Sequence, residues 1–155
     1  MEWAASVGRF FQAMGLLETI TMEFVAQMAA GFKFKSLKKK YLSQKLTFVI
    51  EGLAEHSDAD APTVAGIQDA LEALRQLSFF RNVLAHGAMG LSGWDAEGPV
   101  PRFTGLLNYR PDETDQEAEI VSLDEVKGRL GEAEALAVKL AGQFNGLTFA
   151  PLEKP

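Results

Sequence analysis

A chain of 155 residues and 16.9 kDa fits one domain spanning 1–155. Its 47% hydrophobic and 23% charged residues exclude chain-wide disorder and collagen-like structure, and the absence of cysteine excludes a disulfide framework, a thiolate metal site and a cysteine nucleophile. The net charge of −6 hides a split: residues 1–45 carry seven Lys and Arg against three Asp and Glu, and residues 46–155 carry eight against eighteen, so a polyanion has a local place to bind.

Two histidines are too few for a histidine-rich metal site in one chain, and no cofactor is expected. Glu2, Arg9, Gln12, Glu18 and Glu23 interrupt the apolar residues near the N-terminus, unlike a secretory signal. No apolar run reaches the roughly 18 residues of a membrane span. These features predict a cytoplasmic location and no membrane partner.

In chain order, Val7, Phe10, Phe11, Met14, Leu17, Phe24, Val25 and Met28 recur at spacings of three and four and predict a first helix over about 4–30, stopped by Gly31. A lysine-rich span follows, then a second helix with the stripe Leu42, Leu46, Val49, Ile50 and Leu53. It fades into the polar turn His56-Ser57-Asp58, where His56 reads as a surface residue. A third helix starts between Asp60 and Thr63, where Asp and Thr can cap and Pro62 suits a first turn. Its stripe runs from Val64 through Ile67, Leu71, Leu74 and Leu77 to Leu84, and the helix closes at His86-Gly87.

Glycines and prolines from Gly90 to Gly105 break any helix beyond that point. Residues 102–110 and 118–121, with the turn Pro111-Asp112-Glu113-Thr114-Asp115 between them, predict a β-hairpin within about 100–121. The acidic residues from Asp112 to Glu119 read as its solvated tip, or as a contact for a basic partner. Ser122 with Glu125 forms a capping box for the last helix, whose stripe is Val126, Leu130, Ala133, Ala137, Leu140 and Phe144. The tail over about 146–155 reads as coil. The fold class is therefore all-α, a four-helix bundle with a small β-hairpin insertion before the last helix.

The densest polar cluster is Arg81-Asn82-Val83-Leu84-Ala85-His86-Gly87. Asn82 and His86 are four apart and share a helix face. Arg81 and His86 are five apart and diverge by about 140° on a straight helix. They serve one site only if the helix loosens near His86, if the Arg side chain curls round, or if two chains contribute. Arg supplies a planar donor fork for phosphate, His moves protons near neutrality, and Asn orients either. These parts suffice for RNA cleavage by its own 2′-hydroxyl, with base, acid and cation. That route wants two proton-transfer groups, which a twofold dimer supplies as two His86 residues. A capped, solvated helix end accounts for the same residues: His suits a helix C-terminus, and Gly is a routine cap.

The cluster resembles the R-x4-6-H motif of the HEPN superfamily, in the variant where Asn follows Arg and Gly follows His. The resemblance implies a helical bundle that dimerises so that Arg and His of both subunits meet. It implies a metal-independent endoribonuclease, a toxin or defence component with RNA as substrate and an antitoxin or other protein as partner. Arg81 and His86 are then the catalytic pair, with Asn82 supporting. Some members add a carboxylate from an earlier helix, for which Glu18 and Glu51 are candidates, although an exposed helix carboxylate is the default reading of both. Other members are inactive, and the alternative here is a non-catalytic HEPN dimer binding nucleotide, RNA or a protein. A plain helical interaction module with a structural Arg-Asn-His cluster is the third reading.

Lys33, Lys35, Lys38, Lys39 and Lys40, with Lys45 beyond them and Phe34 and Tyr41 interleaved, form a basic cluster. It reads either as an RNA-binding surface with base stacking or as a solvated loop and helix face. Lysines near a helix N-terminus oppose the dipole, which favours the first reading slightly. Trp3 and Trp94 read as core or interface aromatics.

Overall fold

Side chains that must leave water set the architecture. The structure, a computed structural model, describes residues 2–86, 88–95, 98–106 and 118–152, with the strands between 88 and 120 described as backbone. It is mostly helical: α1 (Glu2–Met28), α2 (Gly31–Lys38), α3 (Leu42–His56), α4 (Ala61–His86) and, after the strands, α5 (Leu123–Asn145).

In α1 the buried residues Trp3, Phe10, Leu17 and Phe24 fall seven apart, with Met14 and Met28 beside them, so one stripe runs the length of the helix. That stripe packs on α5, α3 and α4. Phe10 meets Phe80 of α4 edge to face at 5.4 Å, and Phe24 meets Phe144 of α5 the same way at 5.0 Å. Gln68 Nε2 donates to the Ile50 carbonyl at 2.7 Å and ties α4 to α3.

Gly31 stops α1 as expected, with φ 56°, a left-handed conformation that glycine adopts without steric cost. The same residue opens α2, which the sequence pattern does not reveal. Eight residues are too few for a visible period, and only Phe34 and Leu37 turn toward the core. Lys35 and Lys38 thus lie in a last turn, where the dipole welcomes cations. The unfavourable-dipole argument survives for Lys33 in the first turn of α2 and for the lysines around the start of α3.

The caps match the sequence reading. Asp60 Oδ1 accepts from the Thr63 N–H at 2.9 Å at the head of α4, and Ser122 Oγ accepts from the Glu125 N–H at 3.2 Å at the head of α5. The bond to Thr63 holds the Asp60 carboxyl below its ordinary range. A carboxyl lowered on folding contributes stability that is present above its unfolded pKa and lost as pH falls through the folded one. Asp60→Asn keeps the acceptor and is expected to flatten the acid side of the melting-temperature profile, whereas Asp60→Ala lowers the melting temperature at pH 7 as well.

Between α4 and α5 the backbone forms a three-stranded antiparallel sheet of order β1-β2-β3, in place of a lone hairpin: β1 (Ala88–Asp95), β2 (Gly98–Leu106) and β3 (Ala118–Val121). Glycines in β1 hide it from a period-2 search. β2 and β3 pair from Phe103↔Val121 to Leu106↔Ala118, while the expected turn at Pro111–Asp115 lies outside the described residues. So do the closing Gly87 and the side chain of Trp94. The register of β1 on β2 shifts between Leu91 and Trp94, opposite Pro99 and Pro101. β3 does not reach those prolines, so β2 needs no N–H there for a second neighbour. Val121, fully buried, anchors the sheet to the core, and β2 runs against α4.

The tail is tied down rather than loose. Asp58 N–H donates to the Thr148 carbonyl, Thr148 N–H donates to Asp58 Oδ1, and Ala150 N–H donates to the His56 carbonyl, each at 2.9 Å. Phe149 lies 6.2 Å from Phe24. His56 is accordingly half-buried under this tail rather than a plain surface residue.

Candidate functional site

α4 carries the site. Its buried stripe from Val64 to Leu84 fixes the rotation of the helix against the core, and this places Arg75, Ser78 and Asn82 at spacings of three and four along one partly open side. That side, the start of α3 and the outer edge of α1 enclose a cleft of about 450 Å³. Arg75, Ser78, Arg81 and Asn82 line it from α4, Glu18 from α1, and Lys40, Tyr41, Ser43 and Lys45 from the start of α3.

Arg81 is half-buried. Its Nη1 donates to Asn82 Oδ1 at 3.2 Å, its Nη2 lies 3.8 Å from Glu18 Oε1, and its Cζ stands 6.0 Å from the centroid of the Phe11 ring. An exposed pair of this length contributes about 0–1 kcal/mol, so Glu18 orients the guanidinium without locking it. Asn82 and His86 are both exposed, one turn apart. α4 stays helical through His86, so the helix does not loosen there. The Arg81 head reaches Asn82, which shares a helix face with His86. His86 itself does not line the cleft.

Of the candidate carboxylates, Glu18 reaches Arg81, and Glu51 sits exposed on α3, away from the cleft lining. Of the lysines singled out by the sequence, Lys40 lines the cleft. Lys33 stands over the Phe48 ring at 4.6 Å, and Lys35, Lys38 and Lys39 are exposed outside the lining. Phe34 packs toward the core, whereas Tyr41 remains 83% exposed at the rim.

Sequence reasoning missed Arg75. Its Nη2 donates to Thr47 Oγ1 of α3 at 3.3 Å, and its Nε lies 3.1 Å from Glu72 Oε2 without hydrogen-bond geometry. The signal was present as the Arg75, Ser78, Asn82 spacing on a helix already predicted.

Among the described residues no three His, Asp or Glu side chains gather as a metal-ligand set, and no helix is long and apolar enough to cross a membrane. The chemistry that the cleft offers is fixed positive charge, amide and hydroxyl hydrogen bonding, and an imidazole one turn away. Comparison with protein-family models, with curated proteins and with solved structures finds no match to this chain.

Proposed function

We propose that this protein is a metal-independent endoribonuclease of HEPN type that works as a homodimer, with α1, α3, α4 and α5 as the four helices of its bundle. The observation that carries the reading is the Arg81 guanidinium, half-exposed in a cationic cleft and bonded to Asn82 one turn before an exposed His86. In the proposed dimer, two His86 residues flank one phosphodiester. One takes the 2′-hydroxyl proton as the oxygen attacks phosphorus, and the other gives a proton to the departing 5′-oxygen. Arg81 stabilises the charge that builds on the phosphorane oxygens, and Asn82 holds the guanidinium. The products are a 2′,3′-cyclic phosphate and a 5′-hydroxyl. Its proposed setting is cytoplasmic, as a toxin or defence component with an antitoxin or other protein partner.

Purified protein incubated with RNA in EDTA is the test. Cyclic-phosphate ends that disappear in His86→Ala and in Arg81→Ala support the reading, and unchanged cutting in both variants overturns it. One observation favours a second reading: the cleft beside Arg81 is lined without His86, as suits a dimer that binds nucleotide, RNA or a protein without turnover. Saturable binding of RNA without cleavage would select it.

A further inference from the structure

The head of α3 lacks its usual compensation. Tyr41 occupies the N-cap position with no side-chain hydrogen bond, and the first turn holds no acidic residue. Gln44 and Lys45 donate back to the Tyr41 carbonyl, leaving the N–H groups of Leu42 and Ser43 without an intrahelical acceptor. Lys40 precedes this positive helix end, and Lys45 follows within one turn, both in the cleft wall. Arg75 faces them from α4, steadied by Thr47, with a buried Nε that makes no hydrogen bond. Four cationic side chains and a helix N-terminus thus meet two carboxylates, Glu18 and Glu72, in a chain whose net charge is −6. Such an excess is unfavourable when the cleft is empty and favourable when it holds an anion.

The rim narrows the choice of anion. Tyr41 is 83% exposed and Phe79 is 50% exposed, and both line the same cleft. An open aromatic face beside a phosphate-sized cluster of donors is what a nucleotide needs, a ring to stack its base and cations for its phosphate. The volume of about 450 Å³ falls within the roughly 300–1,000 Å³ of small-molecule sites.

We propose that the cleft between the N-terminus of α3 and the middle of α4 is a nucleotide subsite, its phosphate held by Lys45, Arg75 and the first N–H groups of α3 and its base stacked on Tyr41. It rests on the ribonuclease reading in one respect: the bound nucleotide belongs to the strand that Arg81 and His86 cut. The subsite then seats the nucleotide neighbouring the scissile phosphate and sets which strands are held.

Binding to the full chain is measured by calorimetry with three probes: inorganic phosphate, AMP and an all-deoxy hexanucleotide that lacks the attacking hydroxyl. Lys45→Gln and Arg75→Gln are expected to weaken the hexanucleotide about tenfold each, the scale of one charge-assisted hydrogen bond. Tyr41→Ala is expected to weaken the hexanucleotide and AMP about tenfold but to leave inorganic phosphate unchanged, as only the stacking is lost. Lys139→Gln, exposed on α5, changes none of them. Should Arg75→Gln destabilise the fold, the Lys45 and Tyr41 variants carry the test alone. Hexanucleotide binding well above that of AMP assigns the site to a strand. AMP binding without hexanucleotide binding keeps the subsite and overturns its link to RNA cutting. Affinities within twofold of the wild type in Lys45→Gln and Tyr41→Ala, or no saturable binding by any probe, overturn the subsite. Saturable binding by a wild-type protein that does not cut RNA counts against the ribonuclease reading alone.

Discussion

Replacing His86 with alanine is expected to slow single-turnover RNA cleavage by about 10²–10⁴-fold, the usual contribution of one positioned proton-transfer group. The melting temperature should move little. His86 is exposed on the last turn of α4, and the buried residues that hold that turn are Val83 and Leu84. Arg81→Ala should cost a comparable factor through loss of charge stabilisation, and Arg81→Lys should recover only part of it. Lysine keeps the charge but loses the planar fork that reaches Asn82 and a phosphate together. Arg81→Lys against the wild type isolates the fork, because lysine keeps the positive charge and an alkyl stem at the same place. Rapid-quench kinetics in EDTA alongside thermal denaturation reads both quantities. Cleavage by Arg81→Lys equal to that of the wild type would argue that the fork does nothing for the reaction.

The largest effect on stability is expected from Phe24→Ala. Phe24 is fully buried and meets Phe144 at 5.0 Å and Phe149 at 6.2 Å, so it joins α1, the end of α5 and the tail in one aromatic cluster. Truncation removes the ring and leaves a cavity between elements fixed by their own contacts, a loss of about 3–5 kcal/mol. At about 2–4 °C per kcal/mol for a domain of this size, the melting temperature should drop by roughly 10 °C. Phe32→Ala is the control, since Phe32 is 87% exposed and its removal should stay within about 0.5 kcal/mol. A fall as large in Phe32→Ala would mean that the exposed ring is covered in solution.

The long helices were legible because each carries a buried stripe several turns long and, for α4 and α5, a capping side chain at its head. Asp60 and Ser122 cap in the structure as their sequence context predicts. α2 was not legible, since Phe34 and Leu37 are a single apolar pair and one pair has no period. β1 escaped for a different reason: Gly90 and Gly93 remove the side chains whose alternation would mark a strand. At the site, Arg81, Asn82 and His86 were legible as a motif, and Glu18 as one of two carboxylates. What separates Glu18 from Glu51 is the rotation of α1 against α4, which local sequence does not encode. The lysine cluster shows the same limit from the other side. Six lysines close in sequence distribute over α2, the link after it and α3, and only Lys40 and Lys45 reach the cleft. Arg75 joins them from 35 residues beyond Lys40 because α3 and α4 lie side by side.

The clasp between the α3–α4 turn and the chain after α5 bears on how the protein is made. Asp58 and Thr148 are 90 residues apart, and Phe149 covers one side of Phe24. During synthesis α1 leaves the ribosome well before Phe144 and Phe149, which complete the aromatic cluster around Phe24. A nascent chain that has released α1 alone therefore carries an open apolar notch beside Phe24, and Phe144 and then Phe149 close it as α5 and residues 148–150 arrive.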